Sequence, residues 1–88
     1  MKKLASLQFS DFTEQEFTAF VTKIREADYR TEDQHDEAIY QFARITEHPD
    51  GWDLIYYPKP GADSSTPGII ATIRQWRAEN GKPDFRHE

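Results

Sequence analysis

The chain has no cysteine, a single methionine and only four glycines among its 88 residues. Without cysteine, neither a disulfide framework nor a thiolate metal site is available, and a reducing cytoplasm is an acceptable home. No glycine-rich phosphate loop is present. Long apolar runs are missing too. The one that follows Lys2 and Lys3 is broken by Ser6, Gln8 and Ser10, too short for a signal peptide, and no segment approaches membrane-spanning length. Positive charge is in short supply: 11 Lys and Arg against 16 Asp and Glu leave a net charge of −5. That balance argues against a nucleic-acid backbone as the direct partner and suits a basic protein partner better.

Catalytic signatures are equally scarce. His35-Asp36-Glu37 and His48 are the places where acid-base or metal chemistry would begin. No HExxH, no histidine pair at i, i+4, and no serine or cysteine nucleophile in a signature context accompanies them. No catalytic residue, metal or cofactor is therefore expected. His48, just before Pro49, reads as a loop histidine that satisfies local backbone groups. The acids Glu32, Asp33, Asp36 and Glu37, taken singly, read as the solvated start of a helix.

What is present is helical patterning in one small domain spanning 1–88. Residues 1–10 read as a loosely held arm, frayed at its first residues, with Leu4, Leu7 and Phe9 available to dock. Thr13 and Glu16 form a capping box and Phe12 can staple onto Phe17, so a helix starts here. Phe17, Phe20, Val21, Ile24 and Ala27 carry its apolar stripe to about residue 27. Thr31 and Gln34 repeat the box, with Glu32 and Asp33 in the first turn, and a second helix runs to about Ile45. Ala38, Phe42 and Ile45 make its core stripe. Ile39, Tyr40 and Ala43 fall to one side and continue to His35 and Asp36, an arc wider than one core face needs. Thr66-Pro67 opens a last helix, with Ile69, Ile70, Ile73 and Trp76 on one side, ending near Glu79 before Asn80-Gly81-Lys82-Pro83. Phe85 is then free to fold back, and Arg86 to Glu88 are expected to stay mobile.

Between the second and last helices lies Thr46 to Pro58, which holds half of all the Tyr and Trp residues. If Asp53 to Tyr57 form a helical turn, Asp53, Tyr56 and Tyr57 share a face while Leu54 and Ile55 anchor it. As a strand, which propensity alone weakly favours, Tyr56 and Tyr57 would point apart. The helical neighbours favour a short helix between Gly51 and Pro58. The fold class is thus all-α, a small antiparallel four-helix bundle with a short third helix. Two tyrosines beside a carboxylate make an interaction surface, since tyrosine offers large contact area at low entropy cost.

The motifs Thr46-Glu47-His48-Pro49, Asp53-Leu54-Ile55-Tyr56-Tyr57-Pro58-Lys59, Pro67-Gly68-Ile69, Gln75-Trp76-Arg77-Ala78 and Asn80-Gly81-Lys82, with Thr13-Glu14 and Glu16-Phe17, closely resemble the immunity proteins of DNase-type bacteriocins, the colicin E and pyocin group. The resemblance covers almost the whole chain. It implies a non-enzymatic inhibitor of a cytotoxic HNH DNase domain, bound beside the active site in a heterodimer. It implies no direct nucleic-acid or membrane contact and a monomeric free form, cytoplasmic in the producing bacterium and released in complex with the bacteriocin. It also assigns roles. Asp53, Tyr56, Tyr57 and Pro58 match the shared anchor on the third helix. Glu32, His35, Asp36, Ile39, Tyr40 and Ala43 match the variable, selecting second helix, with Asp33 and Trp52 at the rim. His35, Asp36, Ala43 and Trp52 depart from the family pattern, which bears on which toxin is cognate.

Overall fold

Each of the three long helices begins where a side chain can take up its free amide groups. The structure, a computed structural model, describes residues 4–87, so the expected fraying of Met1 to Lys3 and the mobility of Glu88 concern positions outside the described residues. Helix α1 (Glu14–Arg25) opens on the Thr13 and Glu16 capping box: the Thr13 hydroxyl accepts from the Glu16 amide at 3.1 Å, and the Glu16 carboxylate accepts from the Thr13 amide at 2.9 Å. Helix α2 (Glu32–Thr46) is capped by the Thr31 hydroxyl. The reciprocal half of its expected box reaches one residue further back: the Gln34 side-chain carbonyl accepts from the Arg30 amide at 3.2 Å. Helix α3 is the single turn Asp53–Tyr56. Helix α4 (Thr66–Glu79) is capped by Ser65 rather than by Thr66, because the Ser65 hydroxyl, itself held by the Asp63 carboxylate at 2.7 Å, reaches the Gly68 amide. Among the described residues there is no strand.

Two helix ends are built alike. After α4, Gly81 takes a left-handed conformation at φ 69°, the Lys82 amide donates to the Arg77 carbonyl, and the Gly81 amide donates to that of Ala78. After α1, Ala27 takes the same conformation at φ 52°, with Asp28 donating to Lys23 and Ala27 to Ile24. Ala27 therefore lies outside α1 and is exposed, instead of closing the apolar stripe as the spacing suggested.

The core is aromatic. Phe17, fully buried, lies within 6.0 Å of the rings of Phe9, Phe12, Phe20, Phe42 and Phe85. Isoleucines from α1, α2 and α4 complete it, and α1 contacts both α2 and α4. The amino-terminal arm is more firmly held than expected. It forms two 3-10 turns, Leu4–Ser6 and Phe9–Asp11. Arg44 of α2 donates to the Leu4 and Leu7 carbonyls, and Phe9 stacks on Phe85 at 4.2 Å between centroids. Arg86 is docked as well. Its amide donates to the Phe12 carbonyl at 2.8 Å and its guanidinium to Glu16 at 3.1 Å.

Arg77 is buried in the last turn of α4 and holds four groups at once. Its guanidinium donates to the Pro83 carbonyl at 2.9 and 3.1 Å, to the Thr46 carbonyl at 3.2 Å and to the Glu47 carboxylate at 3.0 Å, and it lies 4.3 Å from the centre of the Phe9 ring. The Arg77 hydrogen bond holds the Glu47 carboxyl below its ordinary range. It also fixes Glu47 at φ 60°, a conformation that costs a non-glycine residue about 1–2 kcal/mol. Replacing Arg77 by Met should cost about 3 kcal/mol, since it strands buried carbonyls and a partnered carboxylate. Urea unfolding will measure this, and a loss under 1 kcal/mol would show that the guanidinium is dispensable.

Candidate functional site

The connection from α2 into α3 is a chain of local bonds. Thr46, fully buried, turns its hydroxyl to the Ala43 carbonyl, and the His48 amide donates to that hydroxyl. The Asp50 amide donates to Nδ1 of His48 at 3.0 Å, so this nitrogen is an acceptor and the ring is neutral with its proton on Nε2. Gly51, at φ 51°, brings the backbone so close to α2 that a Cβ there would sit 3.3 Å from the Ala43 Cβ. The turn then closes through bonds from the Tyr56 amide to the Trp52 carbonyl and from the Tyr57 amide to the Asp53 carbonyl. Pro58 disfavours a helical conformation at Tyr57, which leaves the helix at φ −138°, ψ 60°. Leu54 and Ile55 are half-buried against the core, as the turn requires.

This turn carries its rings outward. Among the described residues the exposed large hydrophobics are Tyr57 (76 %), Tyr40 (57 %), Trp52 (46 %) and Tyr56 (42 %), and all of them lie on the α2 and α3 side. They divide between two hollows. Trp52 and Tyr56, one turn apart, form with Asp36, Ile39 and Tyr40 of α2 an open hollow of about 380 Å³. Asp53 and Tyr57 instead line a smaller one of about 130 Å³ with His48, Leu54, Pro58 and Ile69, toward the loop before α4. The face expected to unite Asp53, Tyr56 and Tyr57 is therefore a ridge between two depressions. The Tyr56 hydroxyl has its pKa raised, first by burial and then by the charge of Asp36, which lines the same hollow.

The second-helix residues fare differently from one another. Glu32, Asp33 and Asp36 are exposed, and among the described residues none of them, nor Asp53, is in an ion pair. Ile39 is half-buried and Tyr40 exposed beside it. His35 turns inward. Its Nε2 bonds the Ile24 carbonyl at 2.9 Å and its ring lies 5.5 Å from that of Tyr29. Ala43 is half-buried beneath Gly51. Trp52, read from sequence as a rim residue, is a wall of the larger hollow. The missed signal was its spacing: it stands four residues before Tyr56, which puts the two rings on one side of a helical turn. No group of acidic and histidine residues that could hold a metal occurs among the described residues.

Comparison with known proteins identifies the family. Residues 9–79 match the family described as colicin immunity protein / pyocin immunity protein. The chain belongs to that family. It is 38% identical over 82 residues to the pyocin-S1 immunity protein of Pseudomonas aeruginosa, covering 90% of this chain and 94% of the relative. The same figures hold for the pyocin-S2 immunity protein of that species. Among solved structures, a chain in the complex of the mutant nuclease domain of pyocin S8 with its cognate immunity protein superposes with a TM-score of 0.84 at 35% identity, covering 93% of this chain and 100% of that one. A chain of the pyocin AP41 DNase-immunity complex gives 0.79 at 30% identity, covering 92% and 98%. This immunity-family chain is a binding protein rather than an enzyme.

His48 links the surface to pH. Its pKa is lowered, first by burial; Asp50 opposes that and Lys59 adds to it. A histidine held neutral in the fold contributes stability that is complete above its ordinary pKa of about 6.5 and is lost as pH falls through that value toward the folded one. The carboxylates held low, Glu16, Glu47, Asp63 and Asp84, act only at more acid pH. Between pH 8 and pH 5, urea unfolding should show the native protein losing stability and His48→Asn, which keeps an acceptor, losing less. Parallel profiles would remove His48 from the account.

Proposed function

We propose that this protein binds the nuclease domain of a partner bacteriocin and keeps it from DNA. The observation that carries this reading is the gathering of every exposed large hydrophobic of the described residues on the α2 and α3 side, beside carboxylates that are in no ion pair. Soluble monomers seldom expose such a patch without a partner. Asp53, Tyr56, Tyr57 and Pro58 are the anchor, with most of the binding energy on the two tyrosines. Glu32, Asp33, Asp36, Ile39 and Tyr40 select among nucleases by matching or repelling the opposing surface. His35 and Ala43 act on that surface mainly through the packing they hold.

A nuclease domain is basic where it holds DNA, so the net charge of −5 speeds encounter and makes association salt-sensitive. Bound beside the active site of an HNH nuclease, the protein excludes DNA by its bulk and negative charge, without occupying the catalytic groups. The complex is a heterodimer, and the free protein is monomeric. It forms in the cytoplasm of the producing cell and leaves with the toxin. Among the described residues no helix is long and apolar enough to cross a membrane.

DNA-cleavage assays with purified bacteriocin nuclease domains test the proposal directly. At least one nuclease should be silenced at a one-to-one ratio, and protection against none of a broad colicin and pyocin panel would refute it. Tyr57→Ala should weaken every productive pairing by about 2 kcal/mol or more, seen as faster dissociation. An unchanged dissociation rate would take Tyr57 out of the anchor.

A further inference from the structure

Trp52 closes the α3 turn with its backbone carbonyl and sets a large ring at the surface. It is the residue before α3, and the first amides of that turn are already taken up by the carbonyls of Asp50, Gly51 and Trp52 itself, so no side-chain cap is needed there and the ring is left for another use. Its ring stays 46 % exposed. That ring walls the larger hollow together with Tyr40, Tyr56 and Ile39, and the Asp36 carboxylate stands at its edge. Two half-buried rings elsewhere are covered by the protein's own cations: Lys23 lies over Tyr29 and Lys82 over Trp76. Among the described residues no cation lies over Tyr40, Trp52 or Tyr56, and Asp36 has no ion-pair partner. The hollow thus offers bare aromatic faces and an uncompensated carboxylate together, the complement of a flat cation.

We propose that this hollow is a guanidinium socket: an arginine side chain of the nuclease domain lies against the rings of Trp52 and Tyr56 and pairs with Asp36, making Trp52 a specificity-determining residue. This rests on the function proposed above and names the chemistry that the surface reads. Arginine suits the socket better than lysine because its planar, weakly hydrated head stacks on aromatic faces and still presents a fork of donors to a carboxylate. Tyr57 and Asp53, in the other depression, are independent of it.

The full chain is titrated calorimetrically with a panel of pyocin and colicin nuclease domains that includes those of pyocins S8 and AP41. The variants are Trp52→Ser, Trp52→Leu, Asp36→Asn and the Trp52→Ser/Asp36→Asn double variant, with Tyr57→Ala as reference. For the best-bound nuclease, both Trp52 variants should weaken binding about 30-fold and Asp36→Asn about 10-fold. The double variant should lose less than the product, because both residues hold the same group. Thermal unfolding of Trp52→Ser should be little changed, since the ring is 46 % exposed and the backbone carbonyl that accepts from Ile55 and Tyr56 is kept, so weaker binding would not reflect unfolding. Near-native affinity of Trp52→Leu would mean that the hollow takes an apolar side chain, and would overturn the proposal. So would Trp52→Ser or Asp36→Asn binding like the native protein, and a Tyr57→Ala loss in that case would leave the broader function standing. If the native protein bound no member of the panel, both would fall together.

Discussion

A buried guanidinium has to be fully satisfied or it unfolds its surroundings, and the fold is arranged so that Arg77 is. Its donors reach the carbonyls of Thr46 and Pro83 and the carboxylate of Glu47, and its flat face covers Phe9. Helix α4, the end of α2, the carboxy-terminal tail and the amino-terminal arm are therefore fixed by one side chain. Phe9 and Phe85, brought in from opposite termini, then stack on each other and close the aromatic core around Phe17. The last residues of α2 and Glu47, where the backbone turns left-handed, are the platform from which the α3 connection departs. The recognition surface is rooted in the same cluster that holds the core.

From that platform the chain spends very little structure on displaying its rings. Helix α3 is a single turn of four residues, steadied by Leu54 and Ile55 below, His48 and Gly51 before it and Pro58 after it. Short elements of this kind have few backbone bonds of their own, so their position depends on neighbours. The ridge between the two hollows allows Tyr56 and Tyr57, adjacent in sequence, to face different depressions.

Much of this was legible beforehand. The capping box at Thr13, the apolar spacing in α1 as far as Ile24 and in α2 and α4, and the glycine after α4 each encode their structure within a few residues, and they appear where the pattern put them. The short helix at Asp53 was also foreseeable, because Gly51 and Pro58 bracket it. Features that depend on partners far along the chain were not. Arg77 looks like any charged helix residue until Thr46, Pro83 and Phe9 are brought around it. Arg86 and residues 4–10 read as loose ends because the groups that hold them, the Phe12 carbonyl, Glu16 and Arg44, are distant or ambiguous in sequence. Ala27 misled for a local reason: it continues the apolar spacing but takes the left-handed conformation that a glycine would take more cheaply.

The inward turn of His35 has a consequence for how this surface can change over generations. Its ring nitrogen supplies a donor to the Ile24 carbonyl in the closing turn of α1. A substitution at position 35 that retunes the neighbouring surface also withdraws that donor unless the newcomer can replace it. Drift toward a new toxin is thus taxed at this position by the stability of another helix. Asp36, next in sequence and facing solvent, carries no such tie and is the freer of the two to vary.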